Sequence, residues 1–129
     1  MFVKVWKWAG VYRHHDTNIG IDWQAIPVSV RDLVADAKAW VDARTYVADD
    51  LAVRFHHRLA MIHPFVNGNG RHARFAAEYL VEALGEPRFS WGRGLGLTRD
   101  ELHQRYRQAL QRTDHDREDI EPLLTFERS

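Results

Sequence analysis

The chain has 129 residues, enough for one domain with its own core. Lys plus Arg and Asp plus Glu both number 18, so no bulk charge draws it to nucleic acid, although a local basic patch stays open. It has no Cys, which excludes disulfides and thiolate chemistry, no apolar run near the roughly 20 residues of a membrane span, and no signal peptide, so the expectation is a cytoplasmic protein with no membrane partner.

In chain order, Phe2, Val5, Trp6 and Ala9 have helical spacing and Gly10 supplies a stop. No capping residue precedes them, so this helix is expected to begin upstream of Met1 in a longer chain. Between Val11 and Pro27 the periodicity is lost, and Asn18 and Gly20 predict a loop or small hairpin. The stripe Val30, Leu33, Val34, Ala37, Trp40 and Val41 predicts an amphipathic helix over 28–43. Leu51, Ala52, Phe55, Leu59 and Ile62 predict a second, with Asp49 or Asp50 as its cap. Ala73, Ala76, Ala77, Leu80, Val81 and Leu84 predict a third, closed by Gly85. After a Gly-rich loop over 86–97, Thr98 caps a helix to about Arg112, and 120–126 is a short last helix. No linker or repeat divides the chain, so the reading is one all-α domain over 1–129.

The segment from His63 to Arg74 concentrates the chemistry. Pro64 ends the helix before it, because the residue preceding a proline is pushed out of the α region. Gly68 and Gly70 flank Asn69, a combination that turns successive N–H groups inward as an anion nest. The nest opens a helix whose first N–H groups lack intrahelical partners and carry the positive dipole end. Arg71 and Arg74 lie three apart on the first turn and suit phosphate oxygens. With His63 beside it, this reads as a phosphate site with an adjacent imidazole.

These twelve residues resemble the Fic motif, His-Pro-Phe-x-(Asp/Glu)-Gly-Asn-Gly-Arg-x-x-Arg, at every fixed position except one. The likeness extends to the Trp6-Lys7-Trp8-Ala9-Gly10 opening, the Arg13–Ile21 stretch and the Glu121-Pro122-Leu123-Leu124 ending. Within the family the chain is similar to the subgroup called mobile mystery protein B. The resemblance implies a compact helical fold with a small hairpin-like flap over 13–27 that pairs with a target segment. It implies transfer of AMP from ATP to a protein Ser, Thr or Tyr hydroxyl, with Mg²⁺ or Mn²⁺ on the phosphates. His63 would be the general base, and Phe65 would anchor the loop. Gly68, Asn69, Gly70, Arg71 and Arg74 would hold the nucleotide.

Asn67 is the departure, standing where the motif has a carboxylate for the metal. A neutral amide oxygen still suits Mg²⁺, but the charge is gone, or else Asn67 only caps the following helix. Transfer of UMP, phosphate or phosphocholine stays open, as does a catalytically weak nucleotide-binding module. The other histidines, His56, His57 and His72, have no i, i+4 spacing for a zinc site, and Trp91 is either core or the wall of a base pocket. The inhibitory sequence of many Fic enzymes, Ser/Thr-x-x-x-Glu-Gly/Asn, does not occur here. An inhibitory segment upstream or an antitoxin-like partner protein would take its place, unless inhibition is absent.

Overall fold

A computed structural model describes residues 11–17, 20–116 and 119–129. The expected helix over 2–9 lies outside the described residues. After a 3-10 turn at Trp23–Ala25, five α-helices follow among the described residues: α1 (Ile26–Ala43), α2 (Ala48–Ile62), α3 (Asn69–Ala83), α4 (Arg99–His115) and α5 (Glu121–Arg128). The all-α reading is borne out.

Helix α2 is the centre, with α1, α3 and α5 packed on it and α4 packed on α5. Its sequence explains that place: Leu51, Ala52, Val53, Phe55, His56, His57, Leu59 and Ile62 are all buried, so it is covered on most of its circumference. Helix α3 meets it through Ala73, Ala76 and Ala77, whose short side chains allow close approach. Two apolar clusters result. One joins Ile26, Leu33 and Ala37 of α1 to Phe55 and Leu59. The other joins Val53 and Val81 to Phe89, Trp91, Tyr106 and Phe126. Because α2 and α3 enter both clusters, the loop between them is anchored on two sides.

Several boundaries differ from the sequence reading for identifiable reasons. Helix α1 starts at Ile26 rather than 28, because Pro27 fits the first turn, where no N–H is needed. The N-cap of α2 is Val47, not Asp49 or Asp50; both acids lie inside the first turn. There Asp50 pairs with Arg54 at 2.6 Å, and Asp49 binds Arg128 of α5. Thr98 does cap α4, in a reciprocal capping box with Glu101. That helix runs three residues past Arg112, which carries Asp114 into a 2.7 Å contact with His57. The described part of the 11–27 segment contains no strand; it is held by a buried side chain, as follows.

Candidate functional site

Helix α2 ends at His63, which has left-handed dihedrals (φ 52, ψ 61), while its N–H still reaches Leu59 O at 3.2 Å. A non-glycine residue pays about 1 kcal/mol for that conformation, so something must hold it. Arg13 does. Its side chain is buried, and Nε donates to His63 O at 2.7 Å while Nη2 donates to Ile62 O at 3.3 Å. The same guanidinium donates to His15 O at 2.8 Å and to Ile21 O in the flap, and the Arg13 N–H donates to Pro64 O at 2.9 Å. One buried cation therefore satisfies the carbonyls at the end of α2 and ties the flap to the loop. Gly20 packs so close that a Cβ there would sit 2.6 Å from His63 Cβ.

From Pro64 the loop is fixed from within. Phe65 is buried, edge-on to His72 with ring centroids 4.8 Å apart. Asn69 brackets it: the Phe65 N–H donates to Asn69 Oδ1 and Asn69 Nδ2 donates to Phe65 O, both at 2.8 Å. The Asn69 side chain is thus spent on the loop, and what it can offer a phosphate is its backbone N–H. Gly68 takes the left-handed region (φ 73) at the N-cap of α3, and no side chain caps the helix. Asn67 is exposed and is not the cap, so its capping alternative falls away.

His63 is half-buried, and its pKa lies below the ordinary histidine value. Burial is the main cause and the Arg13 charge adds to it, while a hydrogen bond with the Ala60 main chain opposes them. The imidazole is therefore neutral at pH 7 and able to accept a proton. Arg71 is exposed. Arg74 is partly buried, with its guanidinium 5.3 Å from the centre of the Tyr106 ring. A Cβ at Gly70 would lie 3.2 Å from Arg74 Nη1, so this glycine leaves room for the arginine as well as for the nest. Beside it a cavity of about 600 Å³ is lined by Arg74, Glu78, Trp91, Leu97, Leu102 and Tyr106. Trp91 is buried in the core and also forms part of that cavity's wall, with Nε1 donating to Glu78 at 2.7 Å.

The protein therefore places His63, Asn67, Gly68, Asn69, Gly70 and Arg71 on one continuous turn from α2 into α3, with Arg74 one helical turn on. A family model for the Fic/DOC family matches residues 5–81, which spans the flap and this turn. The chain belongs to the Fic/DOC family. Fic-type transferases move nucleotide-related groups, and the family works on protein targets and with antitoxin-like partners. No helix of the described residues is long and apolar enough to cross a membrane.

For a metal ion the fit is limited. Among the described residues no three His, Cys, Asp or Glu side chains converge as a metal site. His56 is engaged with Glu127 and Tyr106, and His57 with Asp114. The loop itself offers the Asn67 amide oxygen. That donor suits an Mg²⁺ arriving already coordinated by phosphates and water, and does not suit an ion held by protein alone.

Sequence reasoning missed Arg13 as a support and gave no role to Tyr106. Arg13 entered only as one end of the Arg13–Ile21 likeness, and that was the signal available for it.

Proposed function

We propose that this Fic protein transfers AMP from ATP to the hydroxyl of a Ser, Thr or Tyr on a target protein, as a protein adenylyltransferase. One observation carries the reading: a half-buried His63 with a lowered pKa is joined by the short 64–68 loop to the N-terminus of α3, which no side chain caps. His63 takes the proton of the target hydroxyl, and the freed oxygen attacks the α-phosphorus. The bond from that phosphorus to the bridging oxygen breaks, and pyrophosphate leaves. The charge it gains falls among the N–H groups of Gly68, Asn69 and Gly70 and the cations Arg71 and Arg74. Mg²⁺ or Mn²⁺ bound with the nucleotide would add charge neutralisation, and Asn67 is the residue that would touch it. The flap, tied to the loop through Arg13, is where the target segment would lie.

The exposed, uncharged Asn67 favours a second reading, a nucleotide-binding module with weak catalysis. The test is incubation with labelled ATP, UTP or CTP, divalent metal and a lysate. Protein-bound α-phosphate label from ATP supports AMP transfer, and γ-phosphate label would replace it with kinase chemistry. Binding without any transfer would leave the module. His63→Ala should lower transfer roughly 100-fold or more while nucleotide affinity holds, because a general base contributes little to phosphate binding. Wild-type rates in that variant would remove His63 from the mechanism.

A further inference from the structure

The core beneath Arg74 carries a buried polar chain with one residue from each of three helices. Arg74 on α3 lies against its outer end, with its guanidinium 5.3 Å from the centre of the Tyr106 ring on α4. The Tyr106 hydroxyl lies 2.9 Å from His56 Nε2 on α2, and His56 Nδ1 lies 3.2 Å from Glu127 Oε2 on α5. His56 is thus held through one ring nitrogen to Tyr106 and through the other to Glu127. Glu127 is fully buried, and its Oε1 has no hydrogen-bond partner among the described residues. Its backbone is fixed as well, because its carbonyl accepts the N–H groups of Ser90 and Trp91 at 2.8 and 2.9 Å.

An apolar core of the same shape would hold these helices together more cheaply, since a buried carboxylate with an unpaired oxygen is costly. What the polar chain adds is direction. Arg74 lies against its outer end, the Tyr106 ring, and both line the cavity beside the loop. We infer that Tyr106, oriented by the buried His56–Glu127 pair, is a positioning residue that aims Arg74 at the β- and γ-phosphates of a bound nucleoside triphosphate. The inference rests on the transferase reading above, and it assigns the C-terminal helix a part in nucleotide recognition through Glu127.

Tyr106→Phe keeps the ring and removes the oxygen. Calorimetric titration with ATP and with AMP, which lacks the outer phosphates, separates aim from general loosening. In Tyr106→Phe, which frees the ring from His56, the Kd for ATP should rise about twofold to tenfold with AMP affinity unchanged, the worth of one hydrogen bond. Arg74→Ala should abolish the preference for ATP over AMP, and the double variant should be no weaker than Arg74→Ala. Glu127→Gln, which keeps the side-chain shape, should show a smaller loss with the same ATP selectivity and serves if Tyr106→Phe does not fold. Unchanged ATP affinity in Tyr106→Phe, or an equal loss for ATP and AMP, overturns the inference. Wild-type protein without any preference for ATP would sink the transferase reading instead. The positioning role would then be decided in nucleotide-free protein by side-chain nitrogen NMR of Arg74. An ordered guanidinium freed by Tyr106→Phe upholds it, and equal mobility in both proteins overturns it.

Discussion

Replacing Asn69 by Ala removes both hydrogen bonds that clamp Phe65, each 2.8 Å long in a buried site. Each such bond contributes about 1 kcal/mol net, and truncation also strands a buried N–H and C=O at about 1–3 kcal/mol, so the loss should be roughly 2–4 kcal/mol. Against a typical stability of about 5–15 kcal/mol the variant stays folded and measurable. Asn69→Asp sharpens the expectation. It keeps the acceptor for the Phe65 N–H but turns a carboxylate oxygen toward the Phe65 carbonyl, so at pH 7 it should be no better than Ala. That burial and repulsion raise the carboxyl pKa in the folded state above its unfolded value. The folded state then binds more protons, and the deficit of the Asp variant should shrink as pH falls toward 4. Urea unfolding of the three proteins at pH 7 and pH 4.5 measures this. An Ala variant within about 0.5 kcal/mol of wild type would refute the clamp, and a pH-independent Asp deficit would refute its geometry.

His72 is buried against Phe65 and its pKa is driven down to about 4 by burial. With an unfolded value near 6.5, the unfolded chain binds the extra proton, so stability should fall as pH drops from 6.5 to 4 by on the order of 3 kcal/mol. His72→Gln should flatten that slope in acid unfolding curves, and an unchanged slope would contradict the burial argument. Gly20→Ala places a Cβ 2.6 Å from His63 Cβ at a φ of +107, which side-chain-bearing residues rarely adopt. Turnover should drop about tenfold or more with nucleotide affinity kept, since the displacement falls on the base and not on the nest; normal turnover would show that His63 tolerates movement. Asn67→Asp should lower the Mg²⁺ concentration needed for nucleotide binding, but by no more than about fivefold, because the position is exposed and such pairs contribute about 1 kcal/mol or less. Superimposable Mg²⁺ titrations would exclude a metal role for position 67.

How much of this was legible in the sequence depended on whether the cause was local. The helix stripes, the Thr98 cap and the turn from His63 to Arg74 rest on neighbours within a few residues, so their spacing announced them. Val47 took the cap position that Asp49 and Asp50 were expected to fill because both acids found partners inside the helix and across to α5. The Asp114–His57 contact had no local signal either, since the partners are 57 residues apart. Arg13 is the plainest case. A lone arginine in a polar loop has no local signature, and the carbonyls of Ile62 and His63 that bury it lie about 50 residues along the chain.

Asn69 shows a subtler point, and it bears on how the site works. Its place between two glycines marked its backbone for the anion nest, while its side chain points inward and completes the main-chain hydrogen bonding of Phe65. The nest and the clamp are not alternatives. An anion site made of backbone N–H groups favours a transition state only if those groups need no rearrangement when charge develops. A loop with a left-handed histidine at one end and a left-handed glycine at the other does not hold that form by local preference. It is held because Arg13 fixes its first carbonyls, Asn69 and Phe65 fix its middle, and α3 begins at its end. The same contacts hold the His63 backbone, so the imidazole and the start of α3 are tied to each other by one set of buried polar groups. Loosening any of them should therefore cost rate as well as stability, and loss of rate in a variant that stays folded separates a preorganised transferase site from a loop that is merely well packed.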